Sequence, residues 1–180
     1  MNKIIAIVGM CGSGKSIACE YFENKGYKKV YFGGVTLDKI KELGLELNQE
    51  NERKISRELR EEYGMGAYAL LLLPKIRELS KESNVVLDGL YSWDELKILK
   101  EEFKDDIVVL CIVVDKKHRY DRISKREFRS LDKESAIKRD ISEIENSAKG
   151  GPIAYADYYI LNNKDIDSYL NDLKEFEKDL

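Results

Sequence analysis

A chain of 180 residues has the length of one domain and can bury a core between layers of secondary structure. Its composition, 43% hydrophobic and 36% charged residues, is ordinary for a globular protein, and it contains no apolar run as long as a membrane span. The net charge of −3 argues against a general nucleic-acid-binding protein, which would carry a basic excess, and the single histidine excludes a site built from several histidines.

The first predicted strand, residues 3–8, runs directly into a phosphate-binding loop. Residues 9–16 fit the pattern G-x-x-x-x-G-K-[ST] at every fixed position. Glycines let successive backbone N–H groups point into one concavity, and the helix predicted over residues 16–25 adds its positive end. We expect Lys15 to reach the β- and γ-phosphates of a nucleoside triphosphate and the Ser16 hydroxyl to bind Mg²⁺. The predicted nucleotide ligands are Gly9, Gly12, Ser13, Gly14, Lys15, Ser16 and Ile17.

The second predicted strand, residues 28–32, leads into a long helical region over residues 36–81. Breaks in this region are predicted at Gly44, at residues 64–66 and at Pro74. Three arginines at spacings of 4 and 3 share one face of this region: Arg53, Arg57 and Arg60. Guanidinium groups bind phosphate bidentately, so this face is a candidate acceptor site. A surface salt-bridged to the neighbouring glutamates is the competing interpretation.

The third predicted strand, residues 85–87, ends on Asp88. An aspartate after an apolar strand is typical of the Walker-B arrangement, in which the carboxylate holds Mg²⁺ directly or through water. Asp88 is therefore the second predicted metal ligand beside Ser16, and the alternative is an aspartate that caps the turn before Gly89. A capping box then predicts a helix over residues 92–103.

The most apolar run, residues 107–114, predicts a central strand covered on both faces. The charged segment after it, residues 115–144, is predicted to be helical with a break near Ser130. Spacings of 3, 4 and 3 would put four arginines on one helical face: Arg119, Arg122, Arg126 and Arg129. Because phosphoryl transfer needs cations around the phosphates, at least one of them is expected to contact a phosphate. A solvated basic face is the alternative.

A loop at residues 150–152, a strand over 158–161 and a helix over 165–180 complete the pattern. Strands that alternate with helices predict a parallel sheet with right-handed crossovers and helices on both faces. Ligands of such sheets bind beyond the carboxyl ends of the strands. The polar or glycine residues at those ends are Gly9, Asp88, Asp115 and Asn162.

These motifs together resemble the P-loop nucleotide kinases, most closely the dephospho-CoA-kinase-like group and, within it, a family of AAA-type kinase-like ATPases. The resemblance covers nearly the whole chain and rests on GMCGSGKS, RELREEYGM, VVLDGLYS and GGPIAYADYYILNN. It implies a three-layer α/β/α fold with a five-stranded parallel sheet in a single domain, residues 1–180. It also implies an acceptor-binding helical insertion at residues 35–83 and a small lid at residues 115–131.

The resemblance implies roles for particular residues as well. The last motif is similar to a dephospho-CoA kinase signature whose loop lies near the adenine of ATP, which implies that Asn162 and Asn163 lie beside the donor base. It further implies that Arg122 or Arg126 acts from the lid. The catalytic residues expected on this basis are Lys15, Asp88, Arg122 and Arg126.

Two positions differ from the kinase pattern and bear on the acceptor. Such kinases often carry an acidic residue after the second strand, usable as a base for a hydroxyl acceptor, but this chain has Gly33-Gly34, with Asp38 as the nearest carboxylate. They often carry an arginine where this chain has Tyr91. A phosphate acceptor needs cations rather than a base, so we predict a phosphate-bearing acceptor. Its expected ligands are Arg57, Arg60 and Tyr91.

The sequence therefore predicts ATP- and Mg²⁺-dependent phosphoryl transfer to a small nucleotide or nucleotide-like acceptor. The alternatives are an ATPase or nucleotide-dependent switch without a small acceptor, and dephospho-CoA kinase itself, which Gly33-Gly34 disfavours. The absence of paired cysteine spacing and of a visible signal peptide predicts a cytoplasmic location. Neither a membrane nor a nucleic acid is an expected partner.

Overall fold

The structure, a computed structural model, describes residues 2–127 and 129–180; residue 128, within the predicted lid, and residue 1 lie outside it. The strands within these ranges are β1 (Ile4–Val8), β2 (Lys28–Tyr31), β3 (Val85–Asp88), β4 (Ile107–Val113) and β5 (Tyr158–Leu161). The helices there are α1 (Lys15–Asn24), α2 (Gly34–Glu42), α3 (Gln49–Tyr63), α4 (Ala67–Glu82), α5 (Trp93–Phe103), α6 (Lys116–Ser124), α7 (Lys133–Glu145), α8 (Gly150–Ala154) and α9 (Ile166–Lys178), with a 3₁₀ turn (Lys104–Asp106) before β4.

The five strands form one parallel sheet in the order β2-β3-β1-β4-β5. This confirms the predicted five-stranded parallel sheet and puts β1 at its centre. The register pairs Ile7 of β1 with Asp88 of β3. Asp88 therefore lies at the same edge of the sheet as the loop that follows β1.

Helices cover the sheet on both faces. Along β1, Ile4, Ala6 and Val8 face one apolar cluster, which α2, α3, α4 and α5 complete. The alternate residues Ile5 and Ile7 face a second cluster, to which α1 and α9 contribute. This period of two is the geometry of a strand, and every residue of β1 is fully buried because both of its faces are covered. The three predicted layers are confirmed.

Two predicted boundaries are wrong. Pro74 does not interrupt the helical region, because α4 runs continuously from Ala67 to Glu82. The missing N–H of Pro74 frees the carbonyl of Leu70, and Leu70 is 43% exposed, so water can satisfy that carbonyl. Residues 150–152, predicted as a loop, open the short helix α8, since proline is tolerated in the first turn of a helix.

No helix of residues 2–127 and 129–180 combines the length and the apolar content that a membrane crossing needs.

The start of α5 has the predicted capping box. The Ser92 hydroxyl accepts the N–H of Glu95 at 3.0 Å, and the Glu95 carboxylate accepts the N–H of Ser92 at 3.0 Å. The same hydroxyl donates to the Met65 carbonyl at 2.7 Å. One fully buried serine therefore fixes both the first turn of α5 and the segment that precedes α4.

Ser92→Ala is expected to lower the free energy of unfolding by about 1–2 kcal/mol. The change removes the helix cap and leaves the Met65 carbonyl without its donor. Urea unfolding followed by circular dichroism measures the difference. The matched control is Ser80→Ala, whose hydroxyl bonds the Arg77 carbonyl of its own helix, and for which we expect less than about 0.5 kcal/mol. Equal unfolding midpoints for Ser92→Ala and the parent chain would contradict the prediction.

Candidate active site

The phosphate loop, residues 9–14, joins β1 to α1 at the carboxyl edge of the sheet, and its shape requires glycine. Gly9 has φ +141° and Gly14 has φ +100°, conformations that other residues rarely adopt. A Cβ on Gly9 would lie 2.4 Å from the Ile112 carbonyl oxygen, and one on Gly14 would lie 2.5 Å from Nδ2 of Asn162. The Ser13 hydroxyl is buried and has no hydrogen-bond partner among the described residues. A tight loop that depends on glycines and contains an unused buried hydroxyl fits a bound phosphate chain.

Three side chains hold this loop from outside by donating hydrogen bonds to its carbonyl groups. The donors are Arg119 Nη1 to Cys11 at 2.9 Å, Asn162 Nδ2 to Ser13 at 2.9 Å and the Tyr169 hydroxyl to Gly14 at 3.1 Å. In a trans peptide the N–H points opposite to the C=O. The N–H groups that follow these carbonyls therefore point away from the three donors, as an anion-binding nest requires.

Lys15 is half-buried, and its ammonium group bonds to the loop itself. Its Nζ donates to the Met10 carbonyl at 3.0 Å, and no carboxylate of the described ranges lies within ion-pairing distance of it. Burial, together with the positive charge of Lys149, lowers the pKa of Lys15 to about 8. A desolvated ammonium without an ion pair gains more from an incoming phosphate than an exposed lysine would.

Asp88 lies beside the loop in a partly buried position. Its carboxylate lies close to the Cys19 thiol. Burial raises the pKa of Asp88, against the opposing charges of Lys29 and Lys15. Among the described residues, no backbone N–H donates to this carboxylate, so the turn-capping alternative has no hydrogen bond to support it.

A divalent cation bound beside Asp88 would need ligands from the nucleotide as well as from the protein. Within the described ranges no group of three or more His, Cys, Asp or Glu side chains could hold a metal ion. Asp88 and the exposed hydroxyl of Ser16 are the oxygen ligands at hand. Mg²⁺ is commonly bound through one or two protein oxygens plus phosphates and water, so the donor set fits Mg²⁺ brought in with a triphosphate.

The predicted arginine face does not exist as one helical face. Helix α6 ends at Ser124, so only Arg119 and Arg122 belong to it, and Arg126 and Arg129 follow the helix. Arg119 is buried in a bidentate pair with Asp140, at 2.9 and 2.6 Å. It also donates to the Cys11 carbonyl of the loop.

The other three arginines of this set have separate surroundings. Arg122 donates to the Asn162 carbonyl at 2.9 Å, and the Arg126 guanidinium lies 3.7 Å from the Cys11 sulfur. Arg129 pairs with Glu52 at 2.8 Å, across to helix α3. Arg126 thus borders the loop and Arg122 borders Asn162, whereas Arg129 joins the segment after α6 to the helical insertion. A role of Arg122 or Arg126 in catalysis stays a prediction.

The two asparagines expected beside the donor base have partners within the protein. The Asn162 amide is buried against the Ser13 carbonyl, and Asn163 Oδ1 accepts the N–H of Asp115 at 2.9 Å. The observed contacts make Asn162 a support of the phosphate loop. A contact of either residue with a base stays a prediction.

The two arginines of helix α3 that are predicted to bind an acceptor have different surroundings. The Arg57 side chain is 71% exposed and lies near Glu61. Arg60 turns inward: its Nη1 donates to Ser56 Oγ at 2.7 Å, and its guanidinium lies 5.2 Å from the centroid of the Tyr68 ring. The Arg60 Nε is buried and has no partner in the described part of the chain. Arg60 is the arginine of this helix that faces the interior with unused hydrogen-bonding capacity.

The ring of Tyr31, a residue that is 47% exposed, lies over Gly33 at the end of the second strand. A Cβ on Gly33 would lie 2.4 Å from the Tyr31 ring. Burial, and then the charge of Asp88, raises the pKa of Tyr31, so the phenol is close to that carboxylate. The sequence motifs did not indicate Tyr31, because its position over Gly33 depends on the backbone turn there.

A buried ion cluster was also missed by the sequence analysis. Glu143, at the end of α7, accepts the Cys11 N–H at 3.2 Å, Lys149 Nζ at 2.8 Å and Arg139 Nε at 3.0 Å. Lys149 is 1% exposed, and its ammonium lies 4.3 Å from the centroid of the Tyr91 ring. Tyr91, one of the predicted acceptor ligands, thus has a buried lysine over the face of its ring.

A parallel sheet with a G-x-x-x-x-G-K-S loop between β1 and α1, and an aspartate at the end of the neighbouring strand, defines a P-loop protein of the kinase-like nucleotide-binding class. Residues 5–147 match the family model described as an AAA domain. A UPF0200 protein of Thermococcus kodakarensis is 34% identical over 176 residues, which cover 96% of this chain and 95% of that protein. The chain belongs to this AAA-domain family and to the UPF0200 proteins.

Solved kinases share the fold. A dephospho-CoA kinase from Campylobacter jejuni superposes with a TM-score of 0.54 at 18% identity, over 99% of this chain and 97% of that one. A shikimate kinase from Acinetobacter baumannii, in complex with shikimate, gives a TM-score of 0.58 at 14% identity, over 99% and 94% of the two chains. These similarities confirm the predicted P-loop kinase fold.

Proposed function

We propose that the chain is an ATP- and Mg²⁺-dependent kinase that phosphorylates a small, phosphate-bearing acceptor such as a nucleoside monophosphate. The observation that carries the proposal is the combination of a phosphate loop around the half-buried Lys15 with an inward-facing, partly unpaired guanidinium at Arg60. Lys15 supplies the cation for the donor, and Arg60 supplies the cation for an anionic acceptor.

In the proposed reaction, the bond between the terminal phosphorus and the leaving ADP oxygen breaks as a bond to an acceptor phosphate oxygen forms. Lys15 and the loop N–H groups hold the triphosphate. Mg²⁺ held by Asp88 and Ser16 would neutralise charge on the β- and γ-phosphate oxygens. Arg126 beside the loop and Arg122 beside Asn162 would contact the transferred group, with residues 115–131 acting as a lid.

The acceptor class follows from what surrounds Asp88. A hydroxyl acceptor has to lose a proton, but Tyr31 takes the space over Gly33 where such kinases often carry a carboxylate. A phosphate oxygen is already an anionic nucleophile and needs only to be held. The region around α3 and α4, residues 35–83, offers Arg60 beside the hydroxyls of Ser56 and Tyr68, which are 2.8 Å apart. These groups suit a phosphate better than an alcohol. The same preference disfavours dephospho-CoA kinase activity, which needs a hydroxyl acceptor.

Arg60→Ala is expected to raise the KM of the acceptor by roughly 10- to 150-fold while the KM of ATP stays unchanged. The loss corresponds to one charged hydrogen-bonded contact of about 1.5–3 kcal/mol. Steady-state kinetics measure it, once a panel of nucleoside monophosphates and CoA precursors has identified the compound that accelerates ADP formation. Arg57→Ala is the matched control, because Arg57 lies on the same helix and points to solvent.

Two results would contradict this assignment. If Arg60→Ala phosphorylates the acceptor like the parent chain, Arg60 does not hold the acceptor. If only alcohols are accepted, the acceptor class is wrong. The tyrosine that fills the base position also fits the second candidate, an ATPase or nucleotide-dependent switch without a small acceptor. ATP turnover that no member of the panel accelerates would favour that candidate.

A further inference from the structure

Glu143 occupies the phosphate loop in the way that a bound anion would. Its carboxylate accepts a loop N–H, that of Cys11, and the ammonium of Lys149. Loop N–H groups and lysine ammonium groups are the donors that bind phosphates in loops of this kind. Lys15 is close enough for the charges of both Glu143 and Lys149 to act on it. The carboxylate therefore lies where Lys15 and the loop together favour negative charge.

Lys149 is directed into this place by an uncommon backbone conformation. Ala148 has φ +50°, in the left-handed region that residues with a Cβ rarely adopt. The N–H of Lys149 then bonds back to the Glu143 carbonyl at 3.2 Å, and its side chain is fully buried beneath the Tyr91 ring. Backbone strain of this kind is found preferentially at functional sites, where the surrounding structure maintains it.

Glu143 has a second partner that keeps its charge satisfied if it leaves Lys149. Arg139 lies one turn earlier on α7 and bonds the other carboxylate oxygen at 3.0 Å. The Arg139 side chain is 53% exposed, so this pair can persist nearer to solvent. A move of the Glu143 carboxylate towards Arg139 would free Lys149 and the Cys11 N–H together, without leaving Glu143 as an unpaired buried charge.

We propose that Lys149 is a second phosphate-binding lysine, which contacts the terminal phosphate of a bound triphosphate, and that Glu143 occupies its place until the triphosphate arrives. The inference rests on the proposed nucleotide binding at the loop and adds to it a preference for triphosphate over diphosphate. A diphosphate leaves Glu143 on Lys149. A triphosphate replaces Glu143 there, so that only the longer ligand gains the contact with Lys149.

The test is the ratio of the dissociation constants of Mg·ADP and Mg·ATP, measured by isothermal titration calorimetry on the full chain. Lys149→Met is expected to lower this ratio by about tenfold or more, with ADP affinity within about twofold of the parent value. Glu143→Gln is expected to raise the ratio, because the triphosphate no longer displaces a charged group. Lys138→Met, which removes an exposed lysine of α7 paired with Glu134, should leave both constants unchanged.

The double variant Glu143→Gln, Lys149→Met guards against misfolding, since it removes both buried charges and leaves neither unpaired. It is expected to bind ADP like the parent chain and to lose the preference for ATP. A parental ratio in Lys149→Met or in the double variant would overturn the role of Lys149, and weaker ATP binding in Glu143→Gln would overturn the exchange. A parent chain that binds neither nucleotide would overturn the proposed function as well, whereas an unchanged ratio alongside Lys15-dependent binding overturns this inference alone.

Discussion

Lys15→Ala is expected to raise the dissociation constant of Mg·ATP by about a hundredfold or more and to abolish ATP turnover. Lys15 is the lysine that the loop motif assigns to the β- and γ-phosphates. Two charged hydrogen bonds of about 1.5–3 kcal/mol each are lost with its ammonium group. The true loss should lie towards the upper end, because the ammonium is buried and its present partner is a neutral carbonyl, that of Met10.

Calorimetry with Mg·ATP and a coupled assay for ADP release measure this effect. Lys138→Ala removes an exposed lysine and is expected to bind and turn over ATP like the parent chain. The Lys15 variant should remain folded, because an ammonium whose pKa is lowered by burial contributes no net stability in its charged form. Unchanged ATP affinity and turnover in Lys15→Ala would overturn the assignment of the phosphate loop.

The parts of this protein that could be predicted from the sequence are those set by local pattern. The residues from β1 through the loop to α1 follow from fixed spacings, because the turn at each glycine is determined within a few residues. The capping box at Ser92 and Glu95 is equally local. Asp88 could be predicted from its place after an apolar strand, since the carboxyl ends of parallel strands meet at one edge of the sheet.

Contacts between distant segments could not be predicted. Spacings of 3 and 4 residues put four arginines on one face only if a helix runs through all of them, and α6 ends at Ser124. Arg119 instead pairs with Asp140 on another helix, a contact that no short motif encodes. Glu143 meets the Cys11 N–H across 132 residues of chain, so no pattern near the loop could indicate it.

The acceptor site illustrates the same limit within one helix. Arg57 and Arg60 are three residues apart, and their spacing alone allows either to face the interior. Which arginine faces the interior depends on Tyr68 and Ser56, because both contact the Arg60 guanidinium. Arg57 remains exposed to solvent near Glu61. Helix periodicity predicts which residues share a face, but the partners that a face meets are set by the packing of α3 against its neighbours.

Asp88→Asn is expected to leave nucleotide binding largely intact and to lower Mg²⁺-dependent turnover by about 100-fold. Asparagine keeps the size of the side chain and an oxygen that can accept from the Cys19 thiol, but it removes the negative charge that would orient a cation against the phosphates. A group whose interaction strengthens in the transition state affects kcat more than binding, and losses of about 100-fold or more are typical for one such contact. The pKa of Asp88 is raised by burial, so loss of its charge should not destabilise the fold.

The measurement is kcat as a function of Mg²⁺ concentration, with the ATP dissociation constant determined alongside it. Asp172→Asn, a change of the same kind at an exposed residue of α9, is the matched control and should behave like the parent chain. If Asp88 only terminated β3 before the turn at Gly89, its amide form would show normal metal dependence and turnover. That result would remove Asp88 from the metal site and leave Ser16 as the remaining predicted protein ligand. A loss of turnover that excess Mg²⁺ partly restores would instead support a carboxylate that binds the metal.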